Sequence, residues 1–280
     1  MVSFNAERVS PSTTRISCPC NEKCYLVEGN HTAALLDTGS GLGNLSGFVE
    51  GITDKPIIVL VTHGHVDHAS GAGQFENVYM PHADADIWKE HSEMSFRKDG
   101  LEMCPFRDMI EEGDFIPSLP MERFSDLRGG QRFDLGGIVI EVFDCPGHTK
   151  GSVVFLVVQE KALLLGDACN NATFMQDYYS TSIEEFEESL RKLKKQVDGK
   201  YEKVYLSHGT GTGDIGLIDG VIQVCQDIKN GAVDDMPFSF RGVEGKNQYV
   251  AKTMSQFAER LDGGIGNIVY NKTNIWMRKI

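Results

Sequence analysis

The stretch VTHGHVDHASGAG, from Val61 to Gly73, holds three of the chain's eight histidines together with an aspartate. It overlaps the end of the apolar run IIVLV, which is typical of a buried strand. His63 and His65 leave the end of that strand two residues apart, so their side chains point to the same side. Asp67 and His68 then begin a helix, from which their side chains can face a second position a few ångströms away. Imidazoles and a carboxylate are ligands that zinc and similar metals prefer, so this stretch predicts a metal site.

Three further strand ends carry residues of the same kind. The segment VFDCPGHTKGS places His148 after an apolar strand, ALLLGDACN places Asp167 and VYLSHGTG places His208. Two metal ions need more ligands than the first stretch supplies, and these residues complete the number. Sites in layered α/β proteins collect at strand ends along one edge of a sheet. The seven residues are therefore expected to converge.

Apolar runs rich in β-branched residues alternate with helical patterns, which predicts an α/β fold. The predicted strands cover residues 24–28, 33–37, 57–62, 77–80, 138–144, 152–158, 161–166 and 203–207. The turns EGNH and VQEKA each predict a hairpin. The predicted helices cover residues 68–74, 83–92, 183–197 and 215–231. The third has the clearest pattern, because Ser182 and Glu185 form a capping box before an apolar stripe.

The length of 280 residues and the absence of a linker predict a single domain over 1–280. Two segments show no steady period. Residues 92–130 mix Met, Phe and Pro with charge, and so long an irregular insertion is predicted to cover the site. The C-terminal extension, residues 233–280, is rich in glycine and aromatic residues. It either forms a second cover or packs against the core.

The composition favours a folded protein that acts on a small molecule. Apolar residues make up 41% and charged residues 24% of the chain, and the net charge is −13. Nucleic acid is not expected as a partner, because phosphate binding needs a basic surface. A membrane is not expected either, since the apolar runs are short and the N-terminal sequence lacks the apolar region of a secretion signal. A cytoplasmic location follows, and the sequence does not specify an oligomeric state.

The seven cysteines also fit a reducing compartment, because their number is odd and their spacing gives no disulfide framework. Free thiols are therefore expected. A soft-metal site formed by Cys18, Cys20 and Cys24 is the alternative, although no second pair stands at zinc-finger spacing.

The ordered motifs HGHVDH, GHTKGS, GDA and SHG, with the earlier strand and turn LLDTGSG, resemble those of the metallo-β-lactamase superfamily. The resemblance covers residues of about 25 to 210 and includes glyoxalase II-like and lactonase-like metallohydrolases. It implies an αββα sandwich, in which two mixed β-sheets pack face to face between helices. By position, His63, His65 and His148 would hold the first metal, Asp67, His68 and His208 the second, and Asp167 would bridge both. Asp37 would orient the ligand loop, unless it is only a strand-end aspartate.

Two divalent ions activate water, so the expected activity is hydrolysis of a small thioester or lactone by a metal-bound hydroxide. Zinc is the favoured metal, with manganese or iron as alternatives. Asp67 is the candidate proton acceptor. Tyr178, Tyr179 and Lys150 are candidate substrate-binding residues, although the tyrosines equally suit a wall or core and the lysine a solvated position.

Other activities remain open at the level of sequence. A mononuclear iron dioxygenase and a phosphodiesterase or nuclease would use the same ligand motifs, and a non-catalytic metal-binding module would keep them without turnover. A flavodiiron protein is disfavoured, because its pattern has glutamate where His65 stands. Cys169, near Asp167, is interpreted as a packing residue, since water is the expected nucleophile.

Overall fold

A computed structural model describes residues 3–104, 106–175, 178–240, 243–255 and 258–278. Seven strands form the first sheet, in chain order from one edge to the other. They are β1 (Asn5–Arg8), β2 (Thr13–Ser17), β3 (Lys23–Glu28), β4 (Ala33–Leu36), β5 (Ile57–Leu60), β6 (Asn77–Met80) and β7 (Ser125–Asp126). The pairs from β1 to β4 are antiparallel and those from β4 to β7 are parallel. The parallel half brings the C-terminal ends of β4, β5 and β6 to one edge.

Ten strands follow along the chain. They are β8 (Arg132–Asp134), β9 (Val139–Asp144), β10 (Val153–Val157), β11 (Ala162–Leu164), β12 (Thr173–Met175), β13 (Lys203–Tyr205), β14 (Thr212–Gly213), β15 (Met236–Phe240), β16 (Val243–Val250) and β17 (Ile268–Asn271). The second sheet has the order β14-β13-β11-β10-β9-β8, and its only parallel pair among the described residues is β11 with β13. A third sheet has the order β12-β17-β16-β15.

Helices lie on the outer faces of the first two sheets. They are α1 (Leu45–Glu50), α2 (Val66–Ala69), α3 (Ala85–His91), α4 (Met94–Asp99), α5 (Ile183–Val197) and α6 (Leu217–Asn230). The capping box predicted for α5 is confirmed, with Ser182 accepting a hydrogen bond from the Glu185 backbone and the Glu185 side chain returning to Ser182. The buried face of α5 includes Ile183, Phe186, Leu190 and Leu193, as the apolar stripe predicts.

Three apolar layers hold the sandwich together. Between the two sheets, side chains such as Val27 and Leu60 meet Val142 and Phe155. Outside the first sheet, the buried Trp88 of α3 lies in a second cluster with residues of β2 to β6. Outside the second sheet, α5 and α6 cover a third cluster. This arrangement confirms the predicted αββα fold, because each sheet buries one face on its partner and the other on helices.

All eight predicted strands occur, as β3, β4, β5, β6, β9, β10, β11 and β13. Both predicted hairpins are antiparallel pairs. Of the predicted helices, 183–197 is confirmed as α5 and 215–231 corresponds to α6. The other two combine a short α-helix with a 3-10 turn: α2 leads into Ser70–Gln74, and His82–Asp84 leads into α3. The predicted strand 57–62 was too long, because β5 ends at Leu60.

The two irregular segments have regular structure of their own. Residues 92–130 include α4, several 3-10 turns and β7. Within α4 the buried Arg97 donates to the carbonyls of Ile116 and Gly41, at 2.6 and 3.3 Å, which ties this segment to the loop after β4. Residues 233–280 contain β15, β16 and β17. Ile268 and Tyr270 of β17 lie in the cluster beneath α5 and α6, so part of the extension packs against the core.

The expectation that every cysteine is free was wrong. Cys20 and Cys104 form a disulfide across a sequence separation of 84 residues. The spacing gave no sign of it, because Cys104 lies in the irregular segment 92–130 and reaches Cys20 only through tertiary structure. Cys18, Cys24, Cys145, Cys169 and Cys225 are free and buried. Within the described part of the chain, no helix has both the length and the apolarity needed to cross a bilayer.

Candidate metal centre

The seven predicted ligands lie where their strands end. β5 leads into His63 and His65, and α2 carries Asp67 and His68, while His148, Asp167 and His208 follow β9, β11 and β13. The structure brings them together in two groups, and within each group one potential ligand atom per residue lies within 4.8 Å of the others. The first group is His63, His65 and His148, and the second is Asp67, His68, Asp167 and His208.

The groups adjoin each other. In the first, His148 Nε2 lies 3.0 Å from His65 Nδ1. In the second, Asp167 Oδ2 lies 3.0 Å from His208 Nε2 and 3.4 Å from His68 Nε2. The rings of His63 and His68, one from each group, have centroids 4.1 Å apart. The two groups are therefore contiguous, whereas a bridge between two ions through Asp167 stays a prediction.

Asp37 contacts one of these histidines directly and a second through Thr62. Its carboxylate lies 2.8 Å from His68 Nδ1 and accepts the Thr62 hydroxyl at 2.9 Å. Since a carboxylate only accepts, His68 carries a proton on Nδ1, which leaves Nε2 as the ring nitrogen that can face a metal. Because the Thr62 hydroxyl gives its proton to Asp37, its oxygen accepts from His63 Nδ1 at 2.9 Å, and Nε2 of His63 is the nitrogen left for a metal. Asp37 has a positive φ of 63°, a conformation that aspartate tolerates better than most residues. It is therefore more than a strand-end residue.

A backbone carbonyl orients the third histidine in the same way. His148 Nδ1 donates to the carbonyl oxygen of Phe174 at 2.7 Å, so its Nε2 is the atom left for a ligand. Phe174 belongs to β12, which pairs in parallel with β17 of the C-terminal extension. The third sheet, which the sequence did not predict, thus contributes to the site.

Buried nitrogen atoms without partners indicate that the site suits a cation. Nε2 of His63, His65 and His68 are all shielded from solvent, and none has a hydrogen-bond partner among the described residues. Such atoms cost free energy unless something satisfies them. A metal ion beside each set of lone pairs would do so, and imidazole with carboxylate is a donor set that zinc accepts. The residues present therefore fit divalent metal ions.

Comparison with known proteins agrees with the geometry. Residues 19–208 match the family model for the metallo-beta-lactamase superfamily. The chain belongs to that superfamily. It is 25% identical over 209 residues to the human acyl-coenzyme A thioesterase MBLAC2, covering 66% of this chain and 71% of that protein. It is also 25% identical over 182 residues to the hydroxyacylglutathione hydrolase GloC of Haemophilus influenzae, covering 63% and 82%.

Solved structures show the same fold. A metallo-beta-lactamase from Pontibacter korlensis superimposes with a TM-score of 0.57 at 18% identity, covering 80% of this chain and all of that one. The superfamily resemblance found in the motifs is thus confirmed over most of the chain.

The two groups of this superfamily member differ in charge. Burial, together with the neighbouring histidines, holds the pKa of His63 and His65 well below the usual value, so both are neutral bases. In the second group, burial disfavours the charged forms of the side chains, but ion pairing between the carboxylates and the histidines outweighs this effect. Asp167 and Asp67 raise the pKa of His208 to about 10, and the histidines hold the pKa of both carboxyls well below its usual range. The first group thus offers neutral imidazoles to a metal cation, and the second also offers ionised carboxylates.

The candidate substrate residues lie in different places. The ring of Tyr179 has its centroid 5.2 Å from that of His65, beside the first group. Tyr178 is 73% exposed, and its hydroxyl donates to the carboxylate of Glu90. Lys150 is exposed and lines a cavity of about 540 Å³ together with Pro81, Glu188 and Lys192. Tyr179 therefore contacts a histidine of the first group.

Sequence reasoning missed His91, at the end of α3. Its ring stacks on His65 with centroids 4.9 Å apart, and its Nδ1 accepts the backbone N–H of Val66 at 3.2 Å. No motif surrounds His91 in the sequence, so only its histidine type could have drawn notice. Cys169, by contrast, is fully buried in the cluster beneath α5 and α6, where burial raises its pKa well above normal. That environment agrees with its interpretation as a packing residue.

Proposed function

We propose that this chain is a metal-dependent hydrolase with two divalent ions, preferably zinc, and that it cleaves a small thioester. The observation that carries the proposal is the pair of adjoining groups with their buried, unpartnered histidine nitrogens. The second group is complete, with four potential ligands, which favours two ions over the single ion of an iron dioxygenase. Manganese or iron in place of zinc would leave the ligand assignment unchanged.

The relatives support the choice of a thioester. One is named an acyl-coenzyme A thioesterase and another a hydroxyacylglutathione hydrolase, and both names describe an acyl group carried by a thiol. The net charge of −13 gives no support to a polyanionic nucleic acid as substrate. A lactone is the second candidate, because it presents the same carbonyl to the same groups.

The residues divide the work as follows. His63, His65 and His148 would hold one ion, Asp67, His68 and His208 the other, and Asp167 would contact both. When bound, such ions make water nucleophilic at neutral pH and polarise the substrate carbonyl. Asp67 is ionised and 32% of its side chain is exposed, so it can accept a hydrogen bond from water and orient it for attack. Tyr179 can donate its hydroxyl proton toward a substrate oxygen.

Metal content and substrate class are tested together. Protein purified without chelator is analysed by plasma emission spectroscopy and assayed against acyl-coenzyme A, acylglutathione, a homoserine lactone, a chromogenic β-lactam and bis(p-nitrophenyl) phosphate. Two ions per chain with thioester turnover are expected. Asp67→Asn should retain the fold while lowering kcat by roughly 10²- to 10⁴-fold, the range of the general acid–base contribution.

Several results would contradict the proposal. One iron per chain without hydrolysis would favour oxygen chemistry, and selective cleavage of the phosphodiester would favour a nuclease. Two ions with no turnover of any substrate, and no effect of Asp67→Asn, would favour a metal-binding module.

A further inference from the structure

Asp84 is a fully buried carboxylate beside the metal centre that is not one of the seven candidate ligands. It ends the 3-10 turn after β6 and stands directly before α3. A buried carboxylate is costly unless hydrogen bonds satisfy it, so its partners indicate what it does.

Each partner of Asp84 belongs to a loop that carries histidines of the first group. Oδ2 accepts the backbone N–H of Gly64 at 3.0 Å and the Thr149 hydroxyl at 2.7 Å. Oδ1 accepts the backbone N–H of Gly151 at 2.7 Å. Gly64 lies between His63 and His65, and Thr149 directly follows His148. One side chain therefore fixes the two loops, from different sheets, that supply all three histidines.

The glycines in both motifs serve this contact. A Cβ atom at Gly64 would lie 2.9 Å from Asp84 Cβ, and one at Gly151 would lie 2.6 Å from Asp84 Oδ1. Both distances are too short for real side chains, so only glycine lets each backbone approach the carboxylate. The glycines of HGH and TKGS are thus required for the close approach of both loops to Asp84.

The second group has a different anchor. Asp37 contacts His68 and Ser207, at 2.8 and 3.4 Å, and reaches His63 only through Thr62. We propose that Asp84 is a positioning residue for the first metal ion, setting the distance between the His63–His65 loop and the His148 loop. This inference rests on the metal centre of the proposed function and does not depend on the substrate.

Asp84→Asn tests the proposal with little change in volume. The amide has one oxygen, so its NH2 group must face either Gly64 N–H or Gly151 N–H, and one donor loses its acceptor. We expect the first ion, held by His63, His65 and His148, to bind about 10- to 100-fold more weakly, as is usual when a group that orients a ligand is changed. The other ion should bind as in the wild type. Metal titration of chelator-treated protein, with cobalt as a spectroscopic probe, measures both steps.

Two further variants complete the experiment. Thr149→Val removes one of the three hydrogen bonds and should weaken the same ion by a smaller factor. Glu187→Gln is the matched control, because Glu187 is also a buried, hydrogen-bonded carboxylate but lies between α5 and α6. It should leave both metal affinities unchanged.

The outcomes distinguish the inference from the proposed function. Wild-type affinities for both ions in Asp84→Asn, or equal weakening of both, would overturn the positioning role while two ions in the wild type still supported the metal centre. A wild-type protein that binds no metal would overturn both. If Asp84→Asn does not fold, Thr149→Val decides alone, and an unchanged titration curve then refutes the inference.

Discussion

At the scale of single residues, Asp167 pairs with both histidines of the second group. Its Oδ2 lies within 3.4 Å of both His68 and His208, and its pKa is held low because burial is outweighed by these two histidines. His208 is its most exposed neighbour, with 42% of its side chain accessible. Replacing Asp167 by alanine should therefore affect metal binding differently from replacing His208.

We expect Asp167→Ala to lose both ions, because the predicted bridge would contact both, and His208→Ala to lose mainly the second. Plasma emission spectroscopy of each purified variant gives the stoichiometry, with melting curves as the control for folding. Two tightly bound ions in Asp167→Ala would show that the bridging assignment is wrong.

Single residues also show how much of the site the sequence motifs could predict. All seven motif residues come together as expected, because each follows a strand end that local pattern already marks. Asp84 and His91 carry no motif. Their contacts with Gly64 and Val66 join residues 20 and 25 positions apart in the chain, and no local pattern records such a pairing.

At the scale of elements, α5 and α6 are joined through one buried carboxylate. Glu187 of α5 accepts hydrogen bonds from Arg191 at 2.7 and 2.9 Å and from Lys229 of α6 at 2.8 Å. Burial alone would raise the pKa of Glu187, but Lys229 and Arg191 outweigh it and lower the pKa. A carboxyl whose pKa is lowered by folding stabilises the protein above its unfolded pKa, and this contribution is lost as the pH falls through the folded value.

Glu187→Gln should consequently lower the free energy of unfolding by about 1.5–3 kcal/mol at pH 7, the range for hydrogen bonds to charged groups. The difference from the wild type should shrink as the pH falls below about 4, where the wild-type carboxyl becomes protonated as well. Urea unfolding at a series of pH values measures it. A difference that stays constant down to pH 3 would contradict the assignment.

The predicted elements share strong local patterns, whereas the missed ones do not. The apolar runs of β5 and β10 and the apolar stripe of α5 can be recognised in the sequence, because burial on one or both faces leaves a characteristic pattern of apolar residues. β1 is exposed along its whole length, and β12 has only three residues. Such strands exist because a neighbour offers hydrogen bonds, as β17 does for β12, and their own residues do not require them.

At the scale of the whole molecule, the Cys20–Cys104 disulfide links the loop before β3 to the irregular segment 92–130. Closing a loop of this length restricts the unfolded chain, and the chain-entropy estimate for the 84-residue separation is about 4–5 kcal/mol. Arg97 anchors the same segment to the loop after β4. The segment is therefore held at two points.

Reduction of the disulfide should lower the free energy of unfolding by up to about 4–5 kcal/mol. Urea unfolding with and without dithiothreitol tests this, and the double variant Cys20→Ser, Cys104→Ser is the control that should not respond to the reductant. Equal stability of the oxidised wild type and the double variant would show that the crosslink has no stabilising effect.

The sequence by itself determined which residues make up the candidate site and which layers carry it. Ligand type, glycine spacing and strand ends are local properties, so they identified the superfamily, the sandwich and the seven clustered residues. Only the tertiary structure decided which carboxylates form hydrogen bonds with the ligand-bearing loops, that β12 and the C-terminal extension lie beside His148, and that two of the cysteines form a bond. These features depend on contacts between distant segments, and such contacts leave no periodic pattern in the residues that make them.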